Sequence, residues 1–240
     1  MELKAYKKEN DYSYSLGAFP TLELIKNKKV EVISIIYHST FENDNFKKQI
    51  KSCVSEDRIF TSDKLINKLS DKENCFVIGV FKKYTTELEK DANHLLLDNP
   101  SNMGNLGTII RSSLGFGIKN IAIIEPGVDY FNPKVVRASM GSIFSVNIEM
   151  FKSLEDYKEK YKKHTIYAFM LQAKQSLREA DFKKQPLTLA FGNEATGLDN
   201  KYLDENSVII KHSDKIDSLN ITNAVSIGLY EYNSKTGNLS

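Results

Sequence analysis

Arg111 is the residue whose chemistry first asks for a partner. It stands in GNLGTIIRSS (104–113). It lies off the apolar stripe that Met103, Leu106, Ile109, Ile110 and Leu114 form at helical spacing. A helix built from this stretch therefore packs one face inward and turns a permanently charged, planar donor elsewhere. Such a guanidinium suits a phosphate or an emerging oxyanion. Service as a proton acceptor would need a deprotonation that arginine resists, and both roles stay open. Gly104 and Gly107 let the backbone pass close to another group, while Asn105 suits a turn or helix entry. The plain alternative is a capped helix with a surface arginine.

Two later stretches have the same character. LAFGNEATGL (189–198) ends a buried-strand pattern in Gly192, Asn193 and Glu194, offering amides and one carboxylate. Gly192 and Gly197 have phosphate-loop spacing, but Leu198 occupies the position where that loop needs lysine. The only GxG, Gly115 to Gly117, precedes a strand candidate, so a dinucleotide fingerprint also fails. In IIKHSDKIDSLNITNAVSIGLYEYN, the residues Ile221, Ala224, Val225, Gly228, Leu229 and Tyr232 recur at helical spacing. Ser218 reads as the N-cap of that helix. Asn220 and Asn223 are harder to explain as helix formers.

These stretches need a frame. Strand patterns at 94–98, 119–124, 165–171, 187–191 and 207–210 alternate with helical ones, which predicts a parallel sheet covered on both faces. Ligands of such sheets bind at the carboxyl ends of the strands. The first 80 residues alternate FPTLELIK, VEVISIIY (30–37), a polar helical stretch near 43–53 and CFVIGVF (75–81), a small α/β domain. The polar KKYTTELEKDAN (82–93) marks the boundary. The expected division is 1–90 and 91–240.

Composition narrows the class. A chain of 240 residues with 41% hydrophobic and 27% charged residues is an ordinary globular protein. No run approaches the ~18 apolar residues of a membrane span, and the start, MELKAYKKEN, has no apolar stretch behind it, so a cytoplasmic location is expected. Cys53 and Cys75 lack CxxC spacing, and His38, His94, His164 and His212 stand apart in the sequence, so no metal site is expected. A formal charge of +2 does not announce a nucleic-acid binder. Lysine clusters at 26–29, 47–48, 82–83 and 158–163 permit an RNA partner without requiring one.

In this order, GNLGTIIR, GNEATGL and SLNITNAVSIGLYE resemble the three signature motifs of the SpoU-type (TrmH-like) RNA 2′-O-ribose methyltransferases of the SPOUT superfamily. NPKVVRASMGSIF (132–144), with Ser139 and Gly141, matches a further family segment. The resemblance covers roughly residues 95–233. It implies a parallel-sheet SPOUT domain whose C-terminal part is a deep trefoil knot. It also implies a preceding small α/β domain similar to a ribosomal-protein-like RNA-binding domain.

The same resemblance implies S-adenosyl-L-methionine as cofactor, with Gly192, Ile210 and Leu219 at the cofactor. Arg111, Asn105, Glu194, Ser218 and Asn220 are the implied catalytic set, Glu194 pairing with Arg111 and Asn105 orienting it or the ribose. A homodimer with the active site near the subunit interface and an RNA substrate, rRNA or tRNA, complete the picture. Ser101, Asn102 and Met103 depart from many relatives, in which Asp-Pro runs directly into Gly-Asn-Leu-Gly, and read as a longer loop at the substrate entrance. Methylation of a base nitrogen, and noncatalytic RNA binding on the same fold, remain the alternatives.

Overall fold

The computed structural model describes residues 3–70 and 74–237. The outermost residues of the expected domain spans, Met1, Glu2 and 238–240, lie outside the described residues. Two compact units divide the chain: Met1–Tyr84 with Asp129–Ser145, and Thr85–Val128 with Val146–Ser240. The excursion at 129–145 is absent from the sequence-based division at 90/91.

The first unit carries β1 (Tyr12–Leu16), α1 (Ala18–Lys28), β2 (Val32–Tyr37), α2 (Asp44–Lys51), β3 (Ile59–Thr61), α3 (Asp63–Leu69) and β4 (Val77–Lys82). Its sheet has the order β1-β4-β2-β3, with β4 antiparallel to both neighbours and β3 parallel to β2. Tyr14, Ile36, Ile78 and Val80 pack with Ile66 of α3. Residues 129–145 join this unit for a visible reason. The buried Ser13 hydroxyl donates to the Phe131 carbonyl at 2.5 Å, and the Phe81 ring meets Phe131 and Phe144 edge-on at 5.7 and 5.1 Å.

The second unit begins with β5 (His94–Asp98), α4 (Met103–Gly115) and β6 (Asn120–Ile124). After α5 (Pro133–Ala138), which belongs to the first unit, come β7 (Asn147–Phe151), α6 (Leu154–Lys160), β8 (Thr165–Ala168), β9 (Gln175–Ser176), β10 (Leu187–Phe191), β11 (Val208–Ile209) and α7 (Ile221–Thr236). Five strands form an all-parallel sheet in the order β7-β6-β5-β10-β8. Burial on both faces explains the mostly apolar runs HLLL, NIAII and LTLAF.

The sheet differs from the sequence expectation in one member. Residues 208–209 pair with β9 in a separate two-stranded ladder, and the fifth place belongs to β7. NIEMF escapes a search for apolar runs because it is an edge strand. Its Glu149 is a working acceptor, receiving bonds from the Lys160 ammonium and the Tyr161 hydroxyl.

Registered small residues shape one face. Leu96 pairs with Ala122 and Ala190, and Ala190 with Ala168, which leaves room for the rings of Tyr157 and Tyr161 beside α6 in the same core cluster. Buried polar groups here must be paired, and they are. His94 Nε2 donates to the Glu89 carbonyl, while its Nδ1 meets the Tyr157 hydroxyl at 2.9 Å. Tyr157 in turn meets Thr188, which meets His164 Nδ1. His94 and His164, separate in the sequence, thus meet with ring centroids 4.2 Å apart and planes tilted by 37°. No helix among the described residues is long and apolar enough to cross a membrane.

Burial holds the His94 imidazole down to about 4, against the opposing pull of the Glu89 carbonyl. An unfolded chain takes up that proton once the pH falls below about 6.5. The stability contributed by the neutral ring is therefore present above about 6.5 and lost as the pH falls toward about 4. Urea melts of wild type are expected to lose on the order of 1–2 kcal/mol between pH 7 and pH 5 through this group, and His94→Gln to lose correspondingly less.

Candidate active site at the carboxyl ends of the strands

The second unit has a cavity of about 290 Å³ where β8, β10 and β11 end and α7 begins. The volume is near the lower end of small-molecule sites, about 300–1,000 Å³. Phe169 and Phe191 stack at 4.2 Å with planes 20° apart and form an apolar wall. Gly228 on α7 backs them: a Cβ there would stand 2.8 Å from two atoms of the Phe169 ring and 3.0 Å from Phe191. Ile210 and Leu219 complete the apolar lining.

The 192–198 turn forms the polar rim. Asn193 and Gly197 exchange both backbone hydrogen bonds, at 3.2 and 2.9 Å. The Asn193 side-chain oxygen accepts from the Ala195 amide. Gly192 is required by close approach: a Cβ would lie 2.1–2.3 Å from backbone atoms of Gly197 and Leu198. Leu198, where a phosphate loop would carry lysine, is buried in the core cluster.

Two contacts tie this turn to the start of α4. The Asn193 side-chain nitrogen donates to the Asn99 carbonyl at 2.7 Å. The Glu194 carboxylate accepts from the Ser101 amide (3.1 Å) and hydroxyl (2.7 Å), the Asn102 amide (3.2 Å) and the Asn105 side-chain nitrogen (3.2 Å). Burial pushes the Glu194 carboxyl up, but the Ser101 and Asn105 bonds prevail and hold it below its ordinary value. It is a carboxylate at neutral pH.

Of the eight residues named from sequence, Gly192, Ile210, Leu219, Glu194 and Ser218 line the cavity. Asn105 joins through Glu194. Three details differ from expectation. The cap of α7 is Asn220, not Ser218: the Asn220 side-chain oxygen accepts from the Thr222 amide and hydroxyl at 2.9 and 2.6 Å. Residues 101–103 are not a free loop, because Asn102 caps α4 by accepting from Gly104 and Asn105, and Met103 opens the helix.

The third difference concerns Arg111. Among the described residues Glu194 does not pair with it, and it is outside the cavity lining. Helix geometry gives the reason. Six residues beyond Asn105 is about 9 Å along the axis and roughly 240° around it. Arg111 is instead exposed in line with Gly104, Thr108 and Gly115.

Sequence reasoning missed Phe169 and Phe191, which it read only as members of apolar strand patterns, 165–171 and 187–191. It also missed the Tyr202 hydroxyl, which donates to Asp98 at 2.6 Å where β5 ends. Among the described residues no group of three His, Cys, Asp or Glu could hold a metal ion.

An all-parallel sheet with helices on its faces and a glycine-turn cavity at its strand ends defines an α/β ligand-binding domain. The SpoU rRNA Methylase family model matches residues 92–230, and the chain belongs to that family. It is 36% identical over 143 residues to an uncharacterised tRNA/rRNA methyltransferase of Synechocystis, covering 57% of this chain and 51% of that protein. It is 27% identical over 216 residues to a 23S rRNA uridine 2′-O-methyltransferase of Streptomyces viridochromogenes, covering 83% and 75%. The chain thus spans about half the length of the first relative and three quarters of the second.

Two solved structures share the fold. The SpoU methyltransferase AviRb from Streptomyces viridochromogenes aligns with a TM-score of 0.81 at 22% identity, over 95% of this chain and 91% of that one. An AdoMet-bound rRNA methyltransferase from Sinorhizobium meliloti aligns with 0.81 at 24%, over 96% and 89%.

Glu194→Gln keeps the size but removes the charge that four donors share. Charge-assisted hydrogen bonds contribute about 1.5–3 kcal/mol each when buried, so this half-buried site is expected to lose about 1–2 kcal/mol in urea melts at pH 7. Because the carboxyl is held below its ordinary value, its contribution is present above the carboxylate range and fades as the pH falls through it. Wild type and variant are expected to converge in acid.

Proposed function

We propose that this protein is an S-adenosylmethionine-dependent RNA methyltransferase acting on a ribose 2′-hydroxyl of rRNA or tRNA. The observation that carries the reading is the cavity in which two motif segments, the 192–198 turn and the Ser218–Leu219 approach to α7, meet beside Ile210, with the start of α4 fastened to the turn by Glu194. Family membership and the relative named as a 2′-O-methyltransferase support it. The residues fit the cofactor. The Phe169–Phe191 wall, Ile210 and Leu219 suit the flat apolar faces of an adenine, and the bare Cα of Gly192 lets the turn close on itself as the rim of the cradle.

S-adenosylmethionine, when bound, supplies a methyl group on a sulfonium. The chain's own part is positioning and charge stabilisation. Gly192, Ile210 and Leu219 hold the cofactor. Glu194, as a carboxylate, keeps Ser101, Asn102 and Asn105 in place at the entrance. Ser218 and the side-chain nitrogen of Asn220, which has no partner among the described residues, shape the ribose side. Arg111 stabilises the negative charge that develops on the 2′-oxygen, or the adjacent phosphate.

Because Arg111 is outside the cavity of its own chain, this reading includes a homodimer with the site near the interface. Exposed Ile227 (41%) and Tyr230 (64%) on α7, which packs beside α4, support such a face. The reading further includes a deep trefoil knot in the last third of the chain. The insertion of β10 between β5 and β8 and the likeness to SpoU structures support it. The first unit serves as the RNA-binding domain.

Arg111→Ala is expected to lower methyl transfer about 100- to 1,000-fold while calorimetric S-adenosylmethionine affinity changes less than threefold. The wild-type product is expected to resist alkaline cleavage at the modified nucleotide. A variant with near wild-type turnover removes the assignment of Arg111, and a product cleaved normally by alkali removes the ribose reading.

A further inference from the structure

In the first unit three aromatic rings share one corner of the sheet. Phe60 and Ile78 both pair with Ile36, and the His38 amide bond to the Phe76 carbonyl, 2.9 Å, extends the β2–β4 ladder by one pair. Alternate residues of a strand share a face, so Phe60, His38 and Phe76 emerge on the same side as Ile36 and Ile78. The inner part of that side is covered by Ile66 of α3. The corner is open: Phe60 is 39% and Phe76 38% exposed, large values for phenylalanine.

The corner is also held in shape. The His38 ring meets Phe76 edge-on at 5.7 Å, and its Nδ1 bonds the Thr40 hydroxyl at 2.9 Å. Ser39 donates from its amide and hydroxyl to the Asp63 carboxylate at 2.7 and 2.6 Å, fixing the turn after β2 to the start of α3.

Charge distinguishes the two units. The first has 17 Lys and Arg against 13 Asp and Glu, and the second 16 against 18. The positive excess that attracts a phosphate chain is therefore on the unit that exposes the rings.

We propose that Phe60 on one side and the His38–Phe76 pair on the other form a stacking platform for successive unpaired bases of the RNA substrate. Aromatic rings accept any base because every base has a π face, and single-stranded or looped RNA is the form whose bases can reach them. A helical segment hides its bases and would gain nothing from the platform. The proposal rests on the reading that the protein acts on RNA and assigns how the first unit grips it.

The test measures binding of a fluorescein-labelled 12-mer of oligoadenylate, and of the same strand paired in a duplex, to the full chain. Wild type is expected to prefer the single strand. Phe60→Ala and Phe76→Ala are each expected to weaken single-strand binding roughly fivefold to a hundredfold and to leave duplex binding and S-adenosylmethionine affinity unchanged. Phe60→Tyr, which keeps the ring, is expected to bind as wild type does, while Phe60→Leu binds as Phe60→Ala does.

Leucine restoring full affinity would overturn the proposal, since an apolar protein surface accepts it and stacking does not. So would variants that bind RNA normally but change self-association in sedimentation, which would make the corner a contact between copies. If wild type methylates RNA while the alanine variants bind it unchanged, the platform fails and the enzymatic reading stands. If wild type transfers no methyl group to RNA, the enzymatic reading itself fails.

Discussion

The arrangement depends on one carboxylate. Glu194, on the turn after β10, receives four hydrogen bonds from Ser101, Asn102 and Asn105, residues some ninety positions earlier in the chain. Without that anchor, two loops at neighbouring strand ends would each be an independent surface turn, with free amides competing for water. With it, the start of α4 and the wall of the cavity become one piece. The constraint works because the donors outweigh the cost of half-burying the charge.

The second requirement is close approach. At Gly192 the backbone of 197–198 occupies the space a side chain would need, and at Gly228 the Phe169 ring does. The two glycines act differently, one letting the turn fold on itself and the other letting α7 press on the stacked phenylalanines. Small residues at Ala122, Ala168 and Ala190 do the same for the tyrosines on the sheet. Large rings are thus placed by registered small residues, which makes the frame rigid where ligands must fit.

Much of this was legible in the sequence, for reasons that vary by element. HLLLD and LTLAF coincide with β5 and β10 because strands buried on both faces are predominantly apolar. The α7 stripe was readable because Ile221, Val225, Gly228 and Leu229 follow helical spacing. YSYSL, by contrast, is fully buried yet alternates tyrosine and serine, and its serine hydroxyls find their partners in the fold, Ser13 at Phe131 and Ser15 at Thr21 and Gly79. NIEMF looked polar because it is an edge strand. The turn at Gly192 and Glu194 followed from strand-end logic, whereas Ile210 and Leu219, which line the same cavity, were implied by the family resemblance alone. The partner of Glu194 followed from neither, because Asn105 and Arg111 lie on one helix and are told apart only by its geometry, about 9 Å along the axis and roughly 240° around it.

Hydrogen exchange with and without saturating S-adenosylmethionine tests the central claim most directly. Exchange is expected to slow in 192–198, 210–212 and 218–221, with 101–105 following through Glu194, and to stay unchanged across β2 and β4 of the first unit. Unchanged exchange in those segments, or protection confined to the first unit, would contradict it.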